Sequence, residues 1–311
     1  MTPTAVDAVL AGDVRATAAL LRAIDDDLPG ASEALRALYP RGGGAFVVGI
    51  TGAPGVGKST LVDGLVAAYR ADGERVAVVA VDPSSPFSGG ALLGDRVRMQ
   101  RHATDAGVFI RSLATRGRQG GLSRSTVGTV AVLDAAGFPL ILVETVGAGQ
   151  AEVDVADAAD AVIVVTVPGL GDEIQALKAG LLEIADLLVV NKSDREGADR
   201  AVADLTGMLA LGARPVPPIL RTAASTGAGL PALVDALERL RAAPAAARAA
   251  RRRRQAERQV LAHVGERARD VAHDAIGSTA APGPLAAIVD DLAARRIDPW
   301  TAAEALTGVI R

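Results

Sequence analysis

The strongest indication of the fold is the sequence Gly52-Ala53-Pro54-Gly55-Val56-Gly57-Lys58-Ser59-Thr60. The stretch fits the phosphate-binding loop pattern G-x-x-x-x-G-K-[ST] at every specified position, and its glycines let backbone N–H groups turn inward around phosphate oxygens. An apolar run, 46–50, precedes the loop, and a segment with helical spacing, 61–66, follows it. This order predicts a bound nucleoside triphosphate, with Lys58 on the β- and γ-phosphates and the Ser59 hydroxyl on Mg²⁺.

Apolar strands alternate with helical stretches from about residue 45 to residue 240, and the predicted strands are 46–50, 76–81, 108–111, 140–144, 161–167, 187–190 and 216–220. The alternation predicts an α/β fold, a P-loop NTPase with a mostly parallel sheet flanked by helices, whose ligand lies at the carboxyl ends of the strands. Periodic apolar residues near the start predict helices there. The composition shifts at 241–254, which we interpret as a boundary. We predict an N-terminal helical segment (1–44), a P-loop domain (45–241) and an α-helical C-terminal dimerisation arm (242–311).

Composition argues against several other functions. The chain has no cysteine, and its three histidines, His102, His263 and His273, are not at metal-ligand spacing, so we do not expect a transition-metal carrier. A formal net charge of −3 and an aromatic content of 2% offer nucleic acid little attraction. The arginine run 251–254 spreads around a helix axis rather than forming one face. With no apolar run near the roughly 18 residues of a membrane span, we expect a cytoplasmic protein that binds neither membranes nor nucleic acid.

A second motif, Asn191-Lys192-Ser193-Asp194, identifies the base of the nucleotide. It follows the predicted strand 187–190, where the guanine-recognition motif N-K-x-D of GTPases lies. The Asp194 carboxylate can accept hydrogen bonds from the ring N–H and the exocyclic amine of guanine, and adenine presents neither donor in that place. The loop Thr222-Ala223-Ala224 follows the next strand, where a backbone N–H of GTPases meets the guanine carbonyl. We therefore predict GTP and GDP as the ligands of these residues.

Carboxylates at two further strand ends point to the metal. The strand 140–143 leads into Glu144-Thr145-Val146-Gly147, and a glutamate in this Glu-x-x-Gly pattern indicates contact with Mg²⁺ through a water molecule. Gly147 would offer its backbone N–H to the γ-phosphate. Asp82 ends the second predicted strand and is either another magnesium-sphere carboxylate or a turn starter before a proline.

Hydrolysis requires an in-line water molecule, a positioned metal ion and stabilisation of charge on the γ-phosphate. Lys58, Ser59 and Mg²⁺ supply the last two requirements. For the water, Gln150, Asp95 and Asp82 are each candidates, and positioning by the backbone is an alternative. We therefore expect a low intrinsic GTPase rate that a partner accelerates.

A set of motifs together resembles the MeaB/ArgK family of G proteins: G-A-P-G-V-G-K-S-T (52–60), V-D-P-S-S-P (81–86), G-G-A-L-L-G-D-R-V-R-M (89–99), V-E-T-V-G-A-G-Q (143–150), P-G-L-G-D-E (168–173) and N-K-S-D (191–194). The resemblance implies a partner, an adenosylcobalamin-dependent acyl-CoA mutase, chiefly methylmalonyl-CoA mutase. The GTPase would gate delivery of the cofactor and protect the mutase. The resemblance further implies that Asp82 and Glu144 are magnesium-sphere carboxylates, that Asp95 is a switch I acid, and that 169–178 is a loop sensing nucleotide and mutase.

Two alternatives stay open at this point. A P-loop also serves small-molecule kinases, which the N-K-S-D motif disfavours, and nickel-type maturation GTPases, which the missing Cys and His cluster disfavours. The apolar residues of the C-terminal helices cannot all be buried within so small an appendage. Packing against a second copy would bury them, and we therefore expect a homodimer.

Overall fold

The computed structural model describes residues 3–26, 28–82, 100–102, 104–114, 124–145, 151–169, 179–210, 216–277, 283 and 286–307. The chain divides into two units of internal contacts, Met1–Gln255 and Ala256–Arg311. The predicted division into segments 1–44, 45–241 and 242–311 stays a prediction.

A sheet of seven strands forms the centre of the first unit within the described residues, and the strands are β1 (Phe46–Thr51), β2 (Val76–Asp82), β3 (Val108–Ala114), β4 (Leu140–Thr145), β5 (Ala161–Thr166), β6 (Leu187–Val190) and β7 (Ile219–Arg221). The spatial order is β3-β2-β4-β1-β5-β6-β7, and every pairing is parallel. Residues of β1, β4, β5 and β6 are buried throughout, as expected where helices cover both faces of a sheet. The predicted P-loop α/β fold is therefore confirmed.

Helices flank the sheet and continue into the second unit, and they are α1 (Pro3–Leu10), α2 (Val14–Asp25), α3 (Ala31–Leu38), α4 (Lys58–Ala71), α5 (Arg124–Ala135), α6 (Ala151–Asp154), α7 (Ala179–Ile184), α8 (Ala198–Ala210), α9 (Leu230–Arg241), α10 (Ala245–Ile276), α11 (Ala286–Ala293) and α12 (Pro299–Thr307). Short 3-10 helices lie at Tyr39–Arg41, Gln100–His102 and Val155–Asp157. In the part of the chain that the structure describes, no helix combines the length and apolar character needed to span a membrane.

The two faces of the sheet bury separate apolar clusters. On one face, Leu20 and Leu38 of the N-terminal helices pack with Leu133 of α5 and with Ile141 of β4. On the other face, α4 and α9 contribute leucines that pack against β1, β4 and β5. The N-terminal helices are thus part of the main core, because their apolar faces cover one side of the sheet.

The last strand differs from its predicted bounds of 216–220. The structure has β7 at Ile219–Arg221, and Val216 is exposed. Pro217 and Pro218 have no N–H group and cannot donate to a strand ladder, which explains the later start. The Pro218 carbonyl still accepts a hydrogen bond from the backbone N–H of Leu188.

The second unit contains an N-terminal cap on α12. The Asp298 carboxylate accepts hydrogen bonds from the backbone N–H groups of Trp300 (2.9 Å) and Thr301 (3.0 Å) and from the Thr301 hydroxyl (2.6 Å). These bonds satisfy donors that the first turn of a helix leaves without intrahelical partners. The Thr301 hydroxyl, and then the backbone donors, hold the pKa of Asp298 below its usual value.

Candidate functional site

The phosphate loop lies between β1 and α4 and depends on glycines for its path. Gly52 and Gly57 have φ angles of 136° and 93°, in the region that favours glycine. A Cβ atom on Gly52 would lie 2.1 Å from the Val165 carbonyl oxygen, and one on Gly57 would lie 2.5 Å from Nδ2 of Asn191. Both glycines are therefore required by close approach as well as by backbone conformation.

Lys58, the first residue of α4, folds back across this loop. Its Nζ donates to the carbonyl oxygens of Gly52 (2.7 Å) and Ala53 (2.9 Å), and the side chain is buried. Pro54 and Gly55 are exposed at the rim of the loop. The ammonium group is thus held at the loop, where phosphate oxygens can take over its hydrogen bonds.

Ser59 and Glu144 come together at the carboxyl ends of the strands. The Ser59 hydroxyl donates to Oε1 of Glu144 over 2.6 Å, and both residues are buried. Glu144 reaches this position because β4 lies beside β1, with Glu144 paired to Ile50. Hydroxyl and carboxylate oxygens are ligands that suit Mg²⁺, which keeps several waters and needs few protein groups besides phosphate. The donor set therefore fits a nucleotide-bound Mg²⁺ ion.

A threonine pair next to this contact was not found from the sequence. The Thr145 hydroxyl donates to Oγ1 of Thr51 over 3.0 Å, and both residues are fully buried. Thr51 directly precedes the phosphate loop, and Thr145 directly follows Glu144. The sequence offers one signal, a polar residue at the end of each of two strands. Only the order of strands in the sheet shows that these two ends are neighbours.

Asn191 joins three parts of the site. Its Nδ2 donates to the carbonyl oxygen of Val56 in the phosphate loop over 2.9 Å. Its Oδ1 accepts from the Thr222 hydroxyl (3.0 Å) and from the backbone N–H of Ala224 (3.1 Å). The side chain is buried, so the predicted base loop 222–224 and the phosphate loop share one polar network.

Lys192 and Asp194 extend from the same turn after β6. Lys192 has a positive φ of 53°, and its Nζ donates to the Gly55 carbonyl oxygen over 2.7 Å. Asp194 is exposed, so its carboxylate is open to a ligand. Ala223 is buried, and its N–H donates to the Ala228 carbonyl over 2.9 Å.

Other predicted residues fall partly or wholly outside the description. Asp82 is the last residue of β2, with its backbone paired to Ala114 of β3, and its side chain lies outside the described residues. Three further predicted residues lie wholly outside the described residues: Asp95, Gly147 and Gln150. The described residues therefore bring together Lys58, Ser59, Glu144 and the 191–194 and 222–224 segments. Their roles in binding stay predictions.

Comparisons with known proteins agree on the family. A family model described as "Methylmalonyl Co-A mutase-associated GTPase MeaB" matches residues 18–276. A putative GTPase of Pyrococcus abyssi is 53% identical over 235 residues, which cover 73% of this chain and 72% of the relative. A putative GTPase of Caulobacter vibrioides is 40% identical over 296 residues, 91% of this chain and 89% of the relative.

A solved structure supports the fold. The crystal structure of an LAO/AO transport system kinase has a TM-score of 0.74 to this chain, with 23% identity, and the alignment covers 99% of this chain and 96% of that one. At this level of identity the likeness extends to the fold and not to the activity named for that protein.

Proposed function

Because this chain belongs to the MeaB family of GTPases, we propose that it serves as the GTP-dependent chaperone of an adenosylcobalamin-dependent acyl-CoA mutase such as methylmalonyl-CoA mutase. The chaperone gates delivery of adenosylcobalamin to the mutase and protects the mutase from inactivation. The observation that carries this proposal is the match of residues 18–276 to a family described by its association with that mutase.

The chain is a GTPase that binds guanine nucleotide, and its relatives carry the same description. In the proposed site, the loop 52–60 surrounds the phosphates, and Lys58 exchanges its bonds to the loop carbonyls for bonds to the β- and γ-phosphates. Ser59, Glu144 and Asp82 hold Mg²⁺ directly or through water. When bound, Mg²⁺ neutralises charge on the phosphates during transfer to water.

We assign guanine recognition to Asp194, supported by Asn191, Lys192 and the 222–224 loop. The Asn191 network fixes the loop that meets the guanine carbonyl, while the exposed Asp194 carboxylate accepts from the base. Gly147 offers its backbone N–H to the γ-phosphate. For the attacking water the candidates are Gln150, Asp95 and Asp82, with positioning by the backbone as the alternative, and we expect a low intrinsic rate that the mutase accelerates.

We also propose a cytoplasmic homodimer assembled through the C-terminal arm. The arm's long helix, α10, exposes the apolar side chains of Val260, Leu261 and Val264, and α12 exposes Trp300. Burial of these side chains against a second copy removes apolar surface from water.

Capture of the mutase tests the proposal. Immobilised chain loaded with a nonhydrolysable GTP analogue, with GDP, or with no nucleotide is incubated with purified adenosylcobalamin-dependent mutases. We expect retention of one mutase, with an affinity that differs between the nucleotide states. Linkage then requires that mutase to change the ratio of the GTP and GDP affinities by the same factor by which the nucleotide state changes the affinity for the mutase. Absence of binding by every mutase of the organism, in all nucleotide states, would contradict the proposed partner and leave the GTPase activity in place.

A further inference from the structure

The arginine run of α10 anchors the start of that helix within the first unit. The Arg251 guanidinium makes a two-pronged ion pair with the Asp186 carboxylate, with Nη1 2.9 Å from Oδ1. Asp186 also accepts from the backbone N–H of Val162 over 2.8 Å. Arg252 donates to the Gly43 carbonyl oxygen over 2.8 Å. The run that composition alone left unexplained therefore contributes two anchoring contacts.

Gln255 lies one helical turn after Arg251 and makes the buried part of this anchor. Its Nε2 donates to the carbonyl oxygen of Ala159 and, over 3.5 Å, to that of Ala156. The Gln255 side chain and both alanines are buried. Water has little access to these carbonyls. If the side chain at position 255 had no donor, solvent could not supply the missing hydrogen bonds. The docking of residues 245–255, the part of α10 within the first unit, thus depends on where residues 156–159 lie.

Residues 151–159 carry the acceptors of this anchor, and residues 146–150, between them and β4, lie outside the described part of the chain. They belong to the connection between β4, which carries Glu144, and β5. Within this connection Val155 packs tightly on β1, because a Cβ atom on Gly49 would lie 2.6 Å from Val155 Cγ2. The following Asp160 exchanges two hydrogen bonds with Val47 of β1, from Asp160 N to the Val47 carbonyl (2.7 Å) and from Val47 N to the Asp160 carboxylate (2.9 Å). The connection is thus held between the strand that enters the phosphate loop and Gln255.

We propose that Gln255 is a positioning residue that ties the β4–β5 connection to residues 245–255, the part of α10 within the first unit, and thereby couples the nucleotide state of the site to the docking of that segment. A change at the end of β4 on loss of the γ-phosphate moves the carbonyls of Ala156 and Ala159 relative to β1. Gln255 follows those carbonyls because its Nε2 donates to both of them from a buried position. The inference rests on guanine-nucleotide binding and is independent of the mutase partner.

The test combines amide hydrogen exchange with nucleotide affinity in the full-length chain. Exchange of the peptide covering 245–259 is compared between GDP and guanosine 5′-(β,γ-imido)triphosphate, for the wild type, Gln255→Met and the exposed control Arg254→Met. We expect a difference between the two nucleotides in the wild type and in Arg254→Met, and its loss in Gln255→Met. Linkage also predicts that Gln255→Met changes the ratio of the two nucleotide affinities by about fivefold or more, which a purely structural role would not do.

Three results would overturn the inference. They are a wild type without a nucleotide-dependent difference at 245–259, a Gln255→Met chain that keeps the difference, and a Gln255→Met chain with the wild-type affinity ratio. If Gln255→Met does not fold, Arg251→Met removes the neighbouring anchor instead. Arg251→Met must then reduce the nucleotide-dependent difference, and its full retention would equally overturn the coupling. Each result is obtained without mutase, so mutase capture remains a separate outcome.

Discussion

Asn191 and Val56 are joined by a 2.9 Å hydrogen bond from the asparagine side-chain amide to the carbonyl oxygen in the phosphate loop. Through this bond, the turn proposed to recognise the base also fixes the loop proposed to hold the phosphates. A buried bond of this kind cannot be exchanged for water at low cost. The two proposed roles therefore depend on the same buried asparagine.

Replacement of Asn191 by Ala should weaken the binding of GTP and GDP together. The change leaves the buried Val56 carbonyl and the part-buried Ala224 N–H without their side-chain partner, and a buried group left unsatisfied costs about 1–3 kcal/mol. Calorimetric titration with both nucleotides and a thermal unfolding curve measure the two effects. Ser193→Ala is the matched control, because Ser193 contacts Thr222 through its backbone N–H. Wild-type affinity in Asn191→Ala would show that the shared network is dispensable.

Replacement of Asp194 by Asn should shift base preference from GTP toward XTP. The amide can donate to the xanthine carbonyl that replaces the exocyclic amine of guanine. Competition of GTP, XTP and ATP against a fluorescent nucleotide measures the preference. Glu196→Gln, at an exposed carboxylate of the same turn, should keep the preference of the wild type. If the wild type binds ATP as tightly as GTP, the assignment of Asp194 to guanine fails.

Replacement of Glu144 by Gln should raise the Mg²⁺ concentration required for GTP hydrolysis. A neutral amide orients metal-bound water less well than a carboxylate does, and changes of this kind typically cost about 10–100-fold in metal affinity. Steady-state hydrolysis over a Mg²⁺ titration measures the shift. Since Ser59 and Glu144 are in direct contact, the effects of Ser59→Ala and Glu144→Gln should not add in the double variant. Strict additivity, or an unchanged Mg²⁺ requirement, would argue against a shared metal site.

Acid should weaken the cap on α12 through Asp298. Because its pKa is lowered in the folded chain by the Thr301 hydroxyl and then by backbone donors, its charged form contributes stability above the usual aspartate pKa of about 3.9. That contribution is lost as the pH falls through the lower pKa of the folded state. The stability difference between wild type and Asp298→Asn, followed by fluorescence of the single tryptophan, Trp300, should therefore shrink from about pH 6 to about pH 3. A constant difference would contradict the ionised cap.

The parts of the site that could be predicted from the sequence are those with local chemistry. The phosphate loop and the Asn-Lys-x-Asp turn each place the required groups within a few adjacent residues, and parallel strands bring such segments to one edge of a sheet. That rule accounts for Ser59 and Glu144 lying at the same edge of the sheet, and the structure adds the direct hydrogen bond between them.

Contacts between distant residues could not be predicted in the same way. The pairing of Thr51 with Thr145 depends on β4 lying beside β1, which the alternation of elements does not specify. The buried hydrogen bond of Gln255 depends on where the start of α10 packs within the first unit. Neither charge nor periodicity identifies a single buried amide on a polar helix. The structure starts β7 later than the apolar run predicts, because Pro217 and Pro218 have no N–H groups to donate to the strand ladder.

The most direct test of the proposed function is GTP hydrolysis measured with and without each adenosylcobalamin-dependent acyl-CoA mutase of the organism. Purified chain is assayed at saturating GTP and Mg²⁺, and Lys58→Ala, which lacks the cation held at the phosphate loop, controls for contaminating hydrolases. We predict a slow basal rate that one mutase accelerates in the wild type, with no acceleration in Lys58→Ala. A rate that stays unchanged with every mutase would contradict the chaperone role.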